Sequence, residues 1–299
     1  MPSCDDNTQF LQSVQQYKDY PSASAIEYHN NHFYIVGDDA PSVLVLDSSL
    51  QEVDTIPLYD TAIKKIPKPV KPDLEALTIV YKNKKPYLLA IGSGSLAPYR
   101  NTAELIDPDT KEHTTIDLSL FYERLKASGL PQLNIEGACS IPGAVVLSNR
   151  GHKDYPKNHL ILTSAKFWEE QAMAPITLLS VGSNEDSSHF QGVSGITYAK
   201  KTDKLILTVS TEDTKNAYDD GSIGKSYLWI VDNFNSKKRW TGMNPNRIID
   251  LESVDPQFKN QKIESACVIR ETRHFIELAL VADNDDGSST LFRLDISKK

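Results

Sequence analysis

Five short motifs recur along the chain. Each opens on a hydroxyl or a carboxylate followed by a small residue: Ser24-Ala25, Glu75-Ala76, Glu136-Gly137, Ser194-Gly195 and Glu264-Ser265. Serine and glutamate are hard oxygen donors, a set that suits calcium or magnesium rather than zinc, which favours nitrogen and sulfur. If the five side chains converge, three carboxylates meet with no Lys or Arg at the equivalent position of any copy. Their repulsion in a low-dielectric setting then calls for a counter-ion. A divalent cation held by Ser24, Glu75, Glu136, Ser194 and Glu264 meets that need, with Ca²⁺ expected and Mg²⁺ as the alternative. Protonation of a glutamate, or hydrogen bonds from backbone amides, would meet it without a metal.

The elements that position these motifs can be read from their spacing of 51, 61, 58 and 70 residues. After each motif come short β-branched and aromatic runs bounded by Asn, Asp, Gly or Pro, as in 32–36, 42–47 and 52–56. A repeat of this length with four short strands per unit predicts an all-β chain, a five-bladed β-propeller forming one domain over 1–299. The blades are expected near 22–58, 73–118, 133–181, 190–251 and 263–299. The last blade has no fourth run of its own. The amino-terminal segment 9–15 is expected to complete it, which closes the ring and removes an open sheet edge. Six blades, one of them degenerate, is the alternative. The Lys/Pro-rich stretch 64–72 reads as an exposed connection. Residues 119–128 read as a short helix capped by Asp117 or Ser119 and ended by Gly129, and 167–171 as a helical turn.

In a four-stranded blade the loops after the second strands gather around one mouth of the hub. Here they are 38–42, 92–101, 148–158, 210–226 and 283–289. Long loops on a rigid scaffold are where function concentrates. Asp38 and Glu212 are placed to position a water beside a metal, and Arg100, Arg150, Lys153 and Lys215 to clamp phosphate oxygens. This predicts metal-assisted hydrolysis of a phosphate ester or nucleotide. A non-catalytic ligand- or protein-binding propeller with a structural metal is one alternative, and a lactonase or esterase is another.

The order Ser-Glu-Glu-Ser-Glu on successive inner strands resembles the ring of the calcium-activated nucleotidase (apyrase) propellers. That resemblance implies a central Ca²⁺ and nucleotide hydrolysis. Gly37-Asp38-Asp39 is similar to the start of that family's Asp-Asp-Arg-Thr-Gly turn, with Ala40-Pro41-Ser42 standing where Arg-Thr-Gly would be. Nearly the whole chain, above all 22–47, 72–100 and 134–151, resembles a family of bacterial five-bladed propellers without an assigned activity. That likeness implies the fold.

Composition sets the outer limits. With 299 residues and 39% apolar content the chain can bury a large core. A net charge of −8 disfavours nucleic acid and anionic membranes as partners. No apolar run is long enough for a membrane span. The expected partner is a small, phosphorylated molecule, and the expected state a monomer. No leader pattern precedes Cys4, which predicts a cytoplasmic protein, with an exported protein or lipoprotein whose leader has been removed as the alternative. Cys139 and Cys267 occupy matching places in two motifs and read as small packing residues.

Overall fold

In a computed structural model, residues 9–152, 154–182, 190–212, 223–237, 242–284 and 286–299 are described. Twenty strands form five four-stranded antiparallel sheets. The first blade is β2 (Ala23–His29), β3 (His32–Gly37), β4 (Ser42–Asp47) and β5 (Glu52–Pro57). The second is β6 (Leu74–Lys82), β7 (Lys85–Gly92), β8 (Thr102–Ile106) and β9 (His113–Asp117), followed by helix α1 (Ser119–Ala127). The third is β10 (Ile135–Ile141), β11 (Ala144–Asn149), β12 (Asn158–Ser164) and β13 (Thr177–Val181). The fourth is β14 (Gln191–Ala199), β15 (Lys204–Glu212), β16 (Ile223–Asp232) and β17 (Arg247–Asp250). The fifth is β18 (Lys262–Glu271), β19 (Phe275–Asp283) and β20 (Ser289–Ser297), completed by β1 (Gln9–Tyr17). The all-β five-bladed propeller closed by the amino-terminal strand is therefore the observed fold.

Local sequence explains the hairpins. Asn30-Asn31 and Asn83-Lys84 carry positive φ at both positions, the geometry whose twist matches the strands it joins. Pro142-Gly143 turns β10 into β11 with Gly143 at φ +83°. Side chains on the two faces of each sheet pack against the neighbouring blades, which gives five apolar clusters, one per blade interface. α1 buries Phe121, Tyr122 and Leu125 in the cluster between the second and third blades. The Asp117 carboxylate accepts from the Ser119 amide at 2.8 Å, and Gly129, at φ +112°, follows the helix end. The stretch 167–171 forms hydrogen-bonded turns rather than a helix.

The inner strands β2, β6, β10, β14 and β18 touch one another in a closed ring. Each has a β-bulge at its motif: the register skips Ser24, Glu75, Glu136, Ser194 and Glu264 in turn. A bulge leaves one residue out of the ladder and re-aims it, so five bulges at five equivalent positions are a repeated device. The small residue that follows is dictated by crowding. A Cβ on Gly137 would lie 2.7 Å from the Ile196 amide nitrogen, and one on Gly195 would lie 2.6 Å from the Glu264 carbonyl oxygen.

The stretch 64–72 is largely exposed, as expected, but it is pinned down at two points. Ile66 is buried and its amide donates to the Asp39 carbonyl at 2.8 Å, while Lys71 is almost fully enclosed. The segment is packed down onto the mouth because Lys71 finds carboxylates there. Among the described residues no helix is long and apolar enough to cross a membrane.

Candidate functional site

The mouth is stitched by backbone hydrogen bonds that pass from blade to blade. Asp73 N donates to Asp38 O at 3.1 Å, Ser93 N to Asp73 O at 2.9 Å, Ile135 N to Ser93 O at 2.9 Å and Arg150 N to Asn134 O at 2.9 Å. This rigid rim brings loop side chains against the bulged residues.

The five bulged residues do not behave alike. The Ser24 hydroxyl donates to the carbonyls of Leu74 and Val36, and that of Ser194 to the Ile263 carbonyl at 2.7 Å. Both serines therefore tie one blade to the next. Glu136 accepts from Asn134 Nδ2 and lies 3.4 Å from Arg150 Nη1. Glu264 Oε1 is 2.8 Å from Lys262 Nζ. Two glutamates of the ring thus have counter-charge beside them, although no Lys or Arg stands at the equivalent position of any repeat. Cations arrive from neighbouring positions and not from equivalent ones, and so escape a comparison of aligned repeats. Glu75 differs: it accepts no hydrogen bond among the described residues.

Glu75 instead meets Asp38 and Asp73, whose ligand oxygens all lie within 4.8 Å of one another and of its own. Lys71 Nζ bonds Asp38 Oδ2 and sits 2.8 Å from Asp73 Oδ1. Asp73 Oδ2 receives Arg100 Nη1 at 2.8 Å and the Ser93 hydroxyl, and Arg100 Nη1 also donates to Ser95 Oγ at 2.8 Å. Asp38 Oδ1 and Asp39 Oδ1 are buried without a hydrogen-bond partner. Burial pushes the Glu75 carboxyl well above the usual carboxylate range, and the charges of Asp73, Asp38 and Glu136 add to it against the pull of Lys71. Burial also raises Asp38, opposed chiefly by Lys71. Burial works against the charge on Lys71, but the carboxylates of Asp38, Asp73 and Glu75 outweigh it and raise its pKa. The ammonium is an internal counter-ion.

Of the residues expected to clamp phosphate, Arg100 is only 2% exposed and spent on Asp73. Arg150 is buried between Glu136 and Ser210 Oγ, the latter at 3.1 Å from Nη2. Both point inward as supports of carboxylates. Lys153 and Lys215 lie outside the described residues, as does the side chain of Glu212. Of the two expected water-positioning carboxylates, Asp38 belongs to the cluster. Sequence reading missed Lys71 and Asp73. A signal for Asp73 existed: the residue two before each bulge is Ser22, Asp73, Asn134, Gly192 and Lys262. Asn134 and Lys262 contact the glutamate that follows them.

A half-buried acid, Glu27, lies three residues beyond Ser24. Burial lifts the Glu27 carboxyl to about 7, although the Tyr28 amide donates to it at 2.9 Å. Its folded pKa exceeds its unfolded value of 4.5, so the folded state binds the extra proton. The associated stability is complete below pH 4.5 and is lost as pH rises to 7. The Glu27→Gln variant should match wild type in urea unfolding at pH 4.5 and exceed it by roughly 3 kcal/mol at pH 8. An equal difference at both pH values would contradict the shift. The Cys139 and Cys267 thiols are buried and raised by that burial, in keeping with packing roles.

The sequence matches a family model over residues 19–296, described as a family of unknown function (DUF6929). No curated protein matches the chain. Among solved structures the chain is similar to Myxococcus xanthus glutaminyl cyclase, at 11% identity and TM-score 0.52, covering 97% of each chain. It is also similar to a DUF4221-family protein from Bacteroides vulgatus, at 10% identity and TM-score 0.43, covering 97% of this chain and 96% of that one. A DUF4623-family protein from Bacteroides eggerthii shares 11% identity at TM-score 0.41, covering 98% and 77%. At these identities the likeness extends to the fold alone.

Proposed function

We propose that this chain, which belongs to the DUF6929 family of unknown function, is a divalent-cation-binding β-propeller whose site is Asp38, Asp73 and Glu75 at the mouth of the hub. The observation that carries this is Glu75, a carboxylate that receives no hydrogen bond among the described residues, with an oxygen within 4.8 Å of those of two further carboxylates. All donors are oxygens, which suits Ca²⁺ or Mg²⁺. The wider ring fits an ion poorly, because Glu136 and Glu264 are paired to Arg150 and Lys262 and both serine hydroxyls serve backbone carbonyls. Three protein ligands leave coordination positions to water and ligand, the pattern of a metal that assists hydrolysis by polarising an ester or phosphate oxygen. A phosphate-ester hydrolase is therefore the first reading. A non-catalytic binding propeller is the second, favoured by the commitment of Arg100 and Arg150 to carboxylates.

The test is a thermal melt of chelator-treated protein with Ca²⁺ or Mg²⁺ titrated back. An ion that binds only the folded state should stabilise it by about 2.7 kcal/mol at a hundredfold excess over its dissociation constant. The gain should vanish in Glu75→Gln and persist in Glu136→Gln, and it should grow with pH because Glu75 must shed its proton to bind. Loss in Glu136→Gln instead would return the ion to the ring. Metal-dependent turnover of a phosphoester panel then separates hydrolase from binding module.

A further inference from the structure

The segment 58–72 is a basic strap laid over the acidic mouth. The amides of Leu58 and Tyr59 donate to Pro41 O at 3.0 Å, and that of Ile66 to Asp39 O. Lys65 Nζ stands 3.1 Å from Asp39, and Lys71 Nζ holds both Asp38 and Asp73. Among the described residues five cations line this face, but they are not equivalent. Arg150 serves Glu136, Lys262 serves Glu264, and Arg100 lies behind Asp73 with Ser95. Lys71 bonds two of the three carboxylates of the cation site.

We propose that Lys71 is the oxyanion-binding group of this site. A divalent cation takes over Asp38 and Asp73, and the released ammonium pairs with a phosphate or carboxylate group of a ligand bound beside the ion. The proposal rests on the cation reading above. Charge supports the order of events. Asp38 and Asp73 balance Lys71 and Arg100, so an anion meets no net positive charge before the ion binds. A divalent ion adds net positive charge even once Glu75 is ionised against it, which attracts an anion. The buried Oδ1 atoms of Asp38 and Asp39, without hydrogen-bond partners, are further oxygens available once the strap shifts. Cation first and oxyanion second follows from Lys71 being occupied until the cation arrives.

Isothermal titration of the full chain tests this with Ca²⁺ alone, and then with dilute inorganic phosphate or acetate, each with and without Ca²⁺. In wild type either anion should bind only to Ca²⁺-loaded protein. Phosphate alone would identify a phosphoester ligand, and acetate alone a carboxylate. Lys71→Met removes the competing ammonium, so its Ca²⁺ affinity should rise about tenfold while anion binding falls at least about tenfold. Lys71→Arg should keep the anion. If Lys71→Met binds Ca²⁺ but retains wild-type anion affinity, or if Ca²⁺-loaded wild type takes neither anion, the role of Lys71 is overturned and the cation site stands. If neither protein takes Ca²⁺ or Mg²⁺, both fall. Should Lys71→Met fail to fold, the Ca²⁺ dependence of anion binding in wild type still decides.

Discussion

Deletion of residues 1–17 is expected to abolish the cooperative thermal transition and leave the protein aggregated. β1 is the outermost strand of the last blade and pairs with β20 from Gln9–Ile296 to Tyr17–Ser289. Gln12 reaches Asp295 and Gln16 reaches Ser288 across the pair, and the Tyr17 hydroxyl donates to Leu50 O at 2.9 Å in the first blade. Leu11 and Val14 pack against the cluster between the fourth and fifth blades. Removing the strand exposes that cluster and turns β20 into a long unpaired edge, a template for intermolecular pairing. It also cuts the link by which the two ends of the chain hold the ring shut. A milder probe is Val14→Asp, which places an unpaired charge against apolar neighbours and should cost about 2 to 4 kcal/mol. A deletion variant that stays soluble and melts with wild-type cooperativity would show that the four remaining blades and a three-stranded fifth suffice.

The second large effect is expected at Asp73. This residue, at φ +55°, is the acceptor for Arg100, Lys71 and Ser93 at once. Asp73→Ala leaves the Arg100 guanidinium enclosed without its carboxylate, a loss that typically costs about 3 to 5 kcal/mol. Arg100→Met alone should be similarly damaging, since it leaves Asp73 beside Asp38 and Glu75 with one of its two bonded cations gone. The double variant Asp73→Leu, Arg100→Met removes both charges and should recover much of the loss, because well-packed apolar groups replace a buried pair with little penalty. Urea unfolding of the two single variants and the double variant gives the coupling directly. Additive losses would mean that Arg100 and Asp73 act separately. The same variants should lose the Ca²⁺-dependent rise in melting temperature wherever Asp73 is replaced.

Much of the architecture was legible in sequence because it repeats. The alternation of short strands with Asn-, Asp- and Gly-rich turns marks hairpins locally, and a hub crowded enough to demand Ala25, Ala76, Gly137, Gly195 and Ser265 after the bulges imposes a recurrent pattern. Strand 10–14, orphaned at one end, and the missing strand at the other are complementary within the chain itself. The bulged residues were identifiable for the same reason. Their partners were not, because partnership at the mouth depends on how far each loop reaches. Arg150 meets Glu136 across a hairpin, Lys262 meets Glu264 from two residues away, and Lys71 reaches Asp38 from a segment that composition alone marks as an exposed linker. Repeat alignment compares like positions, whereas charge compensation here joins unlike ones. The chain alone therefore determined five blades, their closure and a ring of serines and glutamates. Only the tertiary structure decided that Glu136 and Glu264 are neutralised and that Glu75 is left with Asp38 and Asp73, because the balance of a buried charge is set by distances between loops that sequence does not encode singly.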